Sequence, residues 1–397
     1  MRPLRTTVLH LTGRGLTPVR RELLGDLMRM TDWEQRVLHV GDGRPPVGGM
    51  QVREMTRTIL VDAQVCARRL RGINVQLVHV WSARALALCE SALRGVSVLL
   101  DCDVRSEPFS GIAVRPRRAN REPPGLTHSV IQTVRHTHAG NRFVQEGRPQ
   151  SASRIRVVCN TESGVLLARR AGFAPRQCAL IRPSVNTAAA SVRMSRSELR
   201  ARIGLKPAER VIAIAPLVRP ERGMSDAAWG ALLVDRVLND VTLLVPDCGR
   251  DTRRVRRLLG AGRRGHVARF IPRGRWGALL PAADVVAYTP RRTGNPDVLA
   301  EVMASRASIV ASDLAINREL LEHGVSAWLC RPARPAAIAS ALLRALDQPA
   351  RSAAMADAAA QVAREKLSRR IALQHYRRLY ESLTFGVGRV AVDGGPA

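Results

Sequence analysis

Lysine and aromatic residues are scarce in this chain. Only Lys206 and Lys366 are lysines among its 63 basic residues, and aromatic residues make up 3% of its 397. With so few aromatic rings, the chain has few side chains on which unpaired bases could stack. The composition disfavours an aromatic-rich nucleic-acid-binding module. A hydrophobic fraction of 46% and a charged fraction of 24% are ordinary values for a soluble α/β enzyme.

Paired cysteines and long apolar runs are also missing. The seven cysteines are scattered and odd in number, which predicts reduced thiols in a cytosol rather than a zinc site or a disulfide framework. No stretch reaches the roughly 18 apolar residues that a membrane-spanning helix needs. The apolar run before Gly13 is too short for the core of a signal peptide. We therefore expect a cytoplasmic protein, with at most peripheral contact at the inner face of a membrane.

The motifs of several common enzyme classes are absent. The chain has no G-x-x-x-x-G-K-[ST] phosphate loop, no H-E-x-x-H zinc motif and no G-x-S-x-G nucleophile motif. GAGRRG at 260–265 matches G-x-G-x-x-G, but it follows a predicted helix and precedes a predicted strand, the reverse of a dinucleotide-binding turn. No carboxylate cluster has the spacing of metal ligands, so we expect neither a metal ion nor another cofactor.

Positive charge is what the chain has in excess, with a formal net charge of +30. Arginine clusters such as RVRRLL and ARRLRG recur at helical spacing, which is typical of a solvated helix face and can follow from the codon usage of a GC-rich genome. An attraction to phosphorylated or lipid-bound anions is the other interpretation. We expect no nucleic acid as partner, because the arginines are dispersed and no recognition motif is present.

From about residue 210, short apolar runs alternate with amphipathic stretches. The runs are VIAIAP, VTLLVP, VARFIP, DVVAYTP, SIVAS and SAWLC. Continuous Val, Ile and Leu is typical of short strands that are buried on both faces, and helices between them are the connections that a parallel sheet requires. The second half of the chain therefore predicts a doubly wound α/β domain.

The first half repeats this alternation less regularly, with TTVLHLTG, QRVLHVGD, VQLVHVWS, VSVLLDCD, IRVVCNT and QCALIRPS as predicted strands. Helices are predicted near 17–31, 54–71, 82–94 and 162–172. Two Rossmann-like, doubly wound domains facing a cleft are the predicted fold. Their predicted boundaries are 1–186 for the first domain, 187–198 for a linker, 199–352 for the second domain, 353–383 for a C-terminal helical segment and 384–397 for a loose tail.

A polar turn in RRTGNPDVLAEVMA follows the predicted strand DVVAYTP and therefore lies at the carboxyl edge of the second sheet. Asn295 is predicted as the N-cap of the next helix and Pro296 as its first residue. The free N–H groups and the dipole of that helix would hold a phosphate in the cleft. Gly294 would let the phosphate come close to the backbone.

Glu301 follows in the same helix, at the edge of its predicted apolar face. A carboxylate in that position needs a partner, and the spacing allows either a ribose or sugar hydroxyl of a ligand, or an arginine or helix cap of the protein. LVRPERG, after the strand VIAIAP, is a second anion-binding candidate. Arg219 and Arg222 there suit a diphosphate, although two arginines in so basic a chain can also be plain surface charge.

The order of these segments, from RIGL through LVRPERG, VTLLVPDCGRD and GNPDVLAEVMASRASIVASD to SAWLCRP, resembles the donor-binding half of retaining GT-B glycosyltransferases of family 4. The resemblance covers roughly residues 155–382, and the first 150 are similar only in VLHLTGRG and VHVWSARA. In that family an arginine and a lysine hold the diphosphate of a nucleotide-sugar. An E-x7-E motif contacts the donor sugar and the ribose, and Glu301 is similar to its second glutamate.

The chain departs from the family pattern at several positions. Thr293 stands where the first glutamate is expected, Arg222 takes the place of the lysine, and Arg219 is a shifted substitute for the arginine. With these departures, the resemblance assigns Arg219, Arg222 and Thr293 to catalysis, Gly274, Gly294, Asn295, Pro296 and Glu301 to donor binding, and Gly13, Gly15 and Asp103 to the acceptor side.

The resemblance implies a metal-independent, hexosyltransferase-type enzyme. It would move a sugar from a UDP- or GDP-linked donor to a glycan or lipid-linked acceptor, with retention of configuration, while the C-terminal helix crosses back to brace the domains. Because the acid that contacts the sugar is missing, a degenerate GT-B protein that binds a nucleotide or glycan without turnover is the alternative.

Overall fold

A computed structural model of the chain describes most of its length. The described residues are 7–13, 16–41, 44–52, 59–71, 73, 75–82, 85, 89, 97–101, 155–170, 173–186, 195–216, 223–248, 250–262, 267–292 and 295–384. The chain forms two compact units. Unit 1 consists of Met1–Arg182 with Leu373–Ala397, and unit 2 of Pro183–Ala372. None of the described helices combines the length and the apolar character needed to cross a membrane.

Unit 1 is built on a parallel sheet of seven strands. The strands are β1 (Thr7–Gly13), β2 (Glu34–Val40), β3 (Met50–Val52), β4 (Val75–Val80), β5 (Ser97–Asp101), β6 (Ile155–Cys159) and β7 (Cys178–Leu180), and the described helices are α1 (Pro18–Leu27), α2 (Ile59–Leu70) and α3 (Glu162–Arg170). Their order is β3-β2-β1-β4-β5-β6-β7, so the chain changes direction across the sheet between β1 and β4. All six predicted strands are confirmed. The sequence did not predict β3, because three residues are too few to show a hydrophobic period.

Unit 2 is built on a parallel sheet of six strands. The strands are β8 (Arg210–Ile214), β9 (Val241–Asp247), β10 (Ala268–Pro272), β11 (Val285–Tyr288), β12 (Ser308–Ser312) and β13 (Trp328–Cys330). The helices are α4 (Arg196–Arg202), α5 (Met224–Leu238), α6 (Arg250–Ala261), α7 (Arg273–Leu279), α8 (Pro296–Ala304), α9 (Ala315–Arg318), α10 (Pro335–Asp347) and α11 (Pro349–Lys366). Every strand predicted from residue 210 onward is confirmed, and the strand order is β10-β9-β8-β11-β12-β13.

The apolar runs form strands because both of their faces are covered. All four residues of β11 are buried, as are four of the five in β8. On one side α5 packs against α10, and a Cβ added at Gly230 would lie 2.7 Å from Cγ2 of Ile338. Glycine at that position therefore permits the close approach of the two helices.

Helix α4 begins at Arg196, inside the stretch 187–198 that was predicted as linker. Ser195 and Glu198 form a capping box, in which the Ser195 side chain accepts from the Glu198 N–H and the Glu198 carboxylate accepts from the Ser195 N–H. Such a box satisfies the free amides at a helix start and fixes where the helix begins. Unit 2 itself begins earlier, at Pro183.

The C-terminal segment 353–383 was predicted as one helical stretch but consists of α11 and α12 (Arg369–Thr384). Between them the backbone pairs with Val185, whose N–H donates to the Leu367 carbonyl at 2.8 Å and whose carbonyl accepts from the Arg369 N–H at 3.1 Å. A backbone group that pairs outside its helix is lost to the helical ladder. The pairing with Val185 therefore interrupts the helix, which no local pattern in the sequence indicates.

From Leu373 onward α12 belongs to unit 1. The Tyr380 hydroxyl lies 2.6 Å from Nδ1 of His79, and the Tyr380 ring packs edge-on against Trp33 with centroids 5.4 Å apart. Arg377 forms an ion pair with Asp32 at 2.5 Å. The end of the chain thus supplies side chains to the core of a unit whose sheet was built from the first 182 residues.

His10 on β1 lies beside His79 on β4 in this core, and both side chains are fully buried. Since the Gln35 amide nitrogen donates to the carbonyls of Leu27 and Met30, its oxygen accepts from His10 Nε2 at 2.9 Å. Nδ1 of His10 then accepts from the Trp81 indole at 3.2 Å. Burial, with His79 adding to it, lowers the pKa of His10 to about 3, so the ring is neutral.

Candidate functional site

The strand order of unit 2 changes direction between β8 and β11. The two strands pair in parallel with Ile214 beside Ala287, and the Ala215 N–H donates to the Ala287 carbonyl at 3.0 Å. The described residues that follow them, Ala215 and Pro216 after β8 and 289–292 after β11, therefore leave the same edge of the sheet side by side. Open α/β sheets bind ligands at such a switch point.

Two contacts tie these neighbouring segments together. Arg291 donates to both carboxylate oxygens of Asp226 in the first turn of α5, at 2.6 and 2.8 Å. These hydrogen bonds raise the pKa of Arg291 above its ordinary value. Gly223 has φ +85, and a Cβ there would overlap the Thr289 carbonyl. We call Gly223, Asp226, Thr289 and Arg291 the switch-point clasp. No local pattern in the sequence indicates it.

The predicted start of α8 is confirmed. The Asn295 side chain caps the helix by accepting from the Asp297 N–H at 3.1 Å, and Pro296 is its first residue. The Tyr288 hydroxyl at the end of β11 donates to the Asn295 carbonyl at 3.0 Å, which holds the turn against the sheet. Asp297 is buried and brings its own carboxylate into the first turn. Any anion bound at this end must therefore draw on further cations besides the helix amides.

Glu301 lies one turn further along α8, with 14% of its side chain exposed. The predicted apolar face is confirmed, and its buried members are Val298, Leu299, Val302 and Met303. Of the two partners that the sequence left open, the structure contains the arginine, because Glu301 Oε2 lies 3.5 Å from a guanidinium nitrogen of Arg273. That distance exceeds the roughly 2.7 to 2.9 Å of a strong charge-assisted hydrogen bond.

Arg273 is the first residue of α7, at the carboxyl end of β10, and it was not predicted as a site residue although the adjacent Gly274 was. A Cβ added at Gly274 would meet no atom within 4 Å, so open space lies beside this backbone. Cys248, which follows β9, is also nearby. Its burial raises the pKa of the thiol to about 11, and the charge of Arg273 opposes that rise. An arginine directly after a strand end was the one signal that could have indicated this position.

Gly13, predicted on the acceptor side, ends β1 in unit 1. A Cβ there would lie 2.6 Å from the Ser82 hydroxyl oxygen, so glycine is needed for β1 and the segment after β4 to lie close. Of the other predicted site residues, Arg219, Arg222, Thr293, Gly294, Gly15 and Asp103 lie outside the described residues.

Two arginines at the carboxyl edge of the unit 2 sheet differ in how they are paired. Arg273 is 26% exposed and lies 3.5 Å from Glu301, whereas Arg291 donates two hydrogen bonds to Asp226. The same edge also has the amides at the start of α8, which Asn295 caps, and Gly274, which lies beside open space. Within the described part of the chain, no group of three or more His, Cys, Asp or Glu side chains could hold a metal ion.

Residues 185–348, which contain this switch point, match the family described as glycosyl transferases group 1. The matched segment spans most of unit 2, from its start to the end of α10. No curated protein matches the chain in sequence. This segment of the chain is therefore similar to the glycosyl transferases of group 1.

Several solved structures share the fold over nearly the whole chain. HepE of Anabaena, in complex with UDP and glucose, is 17% identical with a TM-score of 0.72, covering 94% of this chain and 99% of HepE. Sucrose-phosphate synthase of Thermosynechococcus elongatus is 14% identical with a TM-score of 0.71, over 97% and 100%. A glycosyltransferase of Rickettsia africae is 13% identical with a TM-score of 0.70, over 96% and 98%. These likenesses confirm the predicted α/β fold with two parallel sheets as that of the GT-B glycosyltransferases.

Proposed function

We propose that this chain transfers a hexose from a nucleotide-sugar to a glycan or lipid-linked acceptor, and that the donor binds at the switch point of unit 2. One observation carries the proposal. Within the segment that matches the group 1 glycosyl transferases, the described residues after β8 and β11 leave the sheet at the same edge, and the clasp joins the start of α5 to the residues after β11. The solved complex of HepE with UDP and glucose supports a nucleotide-sugar as the ligand.

The diphosphate is the part of the donor that this edge suits best. Asn295 and Pro296 set the start of α8, whose amides and dipole attract an anion, and Gly294 precedes them. The buried Asp297 opposes an anion there, so the cations of the neighbouring segment have to outweigh it. We assign that role to Arg219 and Arg222, which follow β8 in sequence and whose planar forks match phosphate oxygens.

The ribose is the partner that we assign to Glu301. A carboxylate has two oxygens and can accept a hydroxyl in addition to its pair with Arg273 at 3.5 Å, and 14% of the Glu301 side chain is exposed to solvent. Gly277, one turn after Arg273 on α7, also faces this carboxylate, and a Cβ there would be 4.0 Å from it, while the space beside Gly274 is open. In this arrangement Arg273 orients Glu301 when no ligand is present.

The chemical step is the departure of the nucleoside diphosphate from the sugar. Arg219, Arg222 and the α8 amides neutralise the charge that develops on the leaving group, and Thr293 holds the sugar through its hydroxyl. One donor of this kind is worth about 3 to 4 kcal/mol in comparable enzymes. With charge supplied in this way no metal ion is needed, so activity should persist in EDTA. The configuration at the anomeric carbon is retained, which NMR of the product would check.

Replacing Arg222 tests the site directly. We expect Arg222→Ala to lower turnover about a hundredfold, because one preorganised cation is lost from the leaving group. Arg364→Ala removes an exposed arginine of α11 and serves as the matched control. Release of UDP or GDP from the corresponding sugars measures turnover, and thermal unfolding verifies the fold. Equal turnover in the two variants would remove Arg222 from the site.

Replacing each member of the Arg273–Glu301 pair separates a ligand role from a structural one. If Glu301 holds the ribose, Glu301→Gln weakens the binding of free nucleotide about tenfold, the loss of one hydrogen bond to a charged group. Arg273→Gln should weaken it less. If the pair serves only the fold, both variants lower the melting temperature together and leave nucleotide affinity unchanged. Calorimetric titration with UDP and GDP distinguishes the two outcomes.

The second candidate is a degenerate GT-B protein that binds a nucleotide without turnover. Thr293 favours it, because it replaces the acid expected at the sugar, and so does the pairing of Glu301 with an arginine. Such a protein would bind UDP or GDP as tightly as the transferase but release no nucleotide from any sugar donor. Measuring binding and release on the same preparation decides between the two candidates.

The acceptor is assigned to unit 1, where Gly13 ends β1 at the corresponding direction change of the sheet. We propose that Gly13, Gly15 and Asp103 face the acceptor and that the protein acts in the cytoplasm. A Gly13→Ala variant would bring a Cβ within 2.6 Å of the Ser82 oxygen. It should therefore disturb the acceptor side while leaving nucleotide affinity unaltered.

A further inference from the structure

Helix α5 has an apolar outer face. Trp229, Leu233 and Val237 are 53%, 37% and 64% exposed, and they follow one another at intervals of four residues, which places them in one row along the helix. We call these three residues the α5 stripe. Two other large apolar side chains, Leu166 and Val325, are as exposed elsewhere in the described part of the chain. A surface helix normally turns charged residues outward, so the stripe indicates a partner.

The helix beside the stripe is basic. Helix α6 packs against α5, and four of its arginines are exposed, namely Arg253, Arg254, Arg256 and Arg257. Arg236 adds a fifth exposed guanidinium from α5 itself. The acidic side chains of the two helices, Asp226, Asp235 and Asp251, are all buried. The outer surface of α5 and α6 therefore combines apolar side chains with positive charge.

Charge selects among the partners that would cover such a surface. A second copy of this chain would also carry a net charge of +30, so two copies would repel each other here. A membrane with anionic lipids satisfies both features, since its acyl boundary takes up the apolar row and its phosphates pair with the arginines. Tryptophan and arginine are the side chains that suit this boundary, because each has an apolar body and a polar end.

We propose that the α5 stripe and the exposed arginines of α6 bind the surface of a membrane that contains anionic lipid. The stripe spans about 12 Å along the helix, so α5 would lie parallel to the membrane plane. Attraction between guanidinium groups and lipid phosphates weakens with salt, whereas the apolar contact does not. This docking does not depend on the proposed transferase activity.

The experiment measures co-sedimentation of the full chain with vesicles of phosphatidylcholine and phosphatidylglycerol, against vesicles of phosphatidylcholine alone. The variant Leu233→Gln/Val237→Gln should bind the anionic vesicles about tenfold more weakly, because two side chains no longer leave water. Its control, Leu166→Gln/Val325→Gln, removes two equally exposed apolar side chains elsewhere and should bind like the parent. All four positions are on the surface, and melting temperatures verify folding.

Charge and contact are tested separately. Arg253→Gln/Arg257→Gln should weaken binding about thirtyfold, against no change for Arg364→Gln/Arg370→Gln on other helices. Trp229 is the one exposed tryptophan, since Trp33, Trp81, Trp276 and Trp328 are at most 6% exposed. Brominated lipid should therefore quench the parent's fluorescence and leave Trp229→Phe unquenched.

Three outcomes would overturn the proposal. They are absence of binding to anionic vesicles, equal loss of binding in the stripe variant and its control, and a stripe variant that changes the sedimenting mass of the free protein without changing vesicle binding. The last outcome would make α5 a contact between copies of this chain.

Discussion

The central strands of the two sheets differ in the polarity of their buried side chains. In unit 1, His10 on β1 stands beside His79 on β4, where that sheet changes direction. The matching pair in unit 2, at the direction change between β8 and β11, is Ala213 beside Val286. Both pairs are buried, but only the first consists of polar side chains that need partners.

This difference decides which parts of the chain each unit requires. His79 receives Tyr380 from the last helix, so unit 1 draws on a residue 301 positions away along the chain. Unit 2 has apolar residues at the matching position of its sheet, and two of its charged pairs, Asp226 with Arg291 and Glu301 with Arg273, lie at the carboxyl edge. Polar side chains thus form contacts inside the core of unit 1, and charged pairs lie at the carboxyl edge of the sheet in unit 2.

The largest expected effect comes from Tyr380→Ala, which removes a fully buried ring from unit 1. We expect a loss of about 3 to 5 kcal/mol in the free energy of unfolding, as for other large aromatic residues in a core. Hydrogen exchange should quicken in β1 and β4 but not in β8 and β11. Tyr380→Phe keeps the ring and loses only the hydrogen bond to His79, so its loss should be about 1 to 3 kcal/mol. Equally faster exchange in both sheets would contradict the conclusion that only unit 1 depends on Tyr380.

A smaller effect is expected from Gly223→Ala at the edge of unit 2. The new Cβ would overlap the Thr289 carbonyl in a left-handed backbone, so we expect a loss of at least about 2 kcal/mol. Gly274→Ala is the matched control, because its Cβ meets no atom within 4 Å. Its thermal stability should match that of the parent. A fall in nucleotide affinity in Gly274→Ala would then report a ligand and not the fold.

The smallest effect is a pH dependence confined to unit 1. The pKa of His10 is lowered to about 3 in the folded chain. As the pH falls below about 6.5, His10 is therefore protonated in the unfolded chain but stays neutral in the folded chain. Its contribution to stability is therefore complete above pH 6.5 and is lost as the pH falls towards 3. Between pH 7.5 and 5.5 we expect a loss of about 1.4 kcal/mol in denaturant unfolding of unit 1. His10→Gln should abolish this slope, and a slope unchanged in that variant would rule out His10 as its source.

Much of the fold could be predicted because it follows from local patterns. Runs such as VIAIAP and DVVAYTP are apolar on both faces, and that composition alone indicates buried parallel strands. The Asn295 cap and the proline after it could be predicted for the same reason, since a helix start depends on neighbouring residues. The break between α11 and α12 could not, because it depends on Val185, far away in the chain.

The candidate site was predicted in part. The sequence identified Glu301 and the α8 start, but it could not choose between a ligand and an arginine as partner, because Arg273 and Glu301 meet only after β10 and β11 have joined one sheet. It also missed the clasp between Asp226 and Arg291, which lie 65 residues apart. The roles of all the assigned residues stay predictions, and six of those residues, Arg219 and Arg222 among them, lie outside the described part of the chain.

The sequence by itself determined all the described strands except β3, most of the helices and the sign of the charge, because hydrophobic period, capping and composition are properties of short segments. Tertiary structure alone decided which side chains pair with each other: His79 with Tyr380, Glu301 with Arg273, and Asp226 with Arg291. It also decided that Trp229, Leu233 and Val237 stay in water, since the exposure of a helix face depends on what packs against it. Such pairings and exposures are set by the folded sheets and not by sequence neighbours.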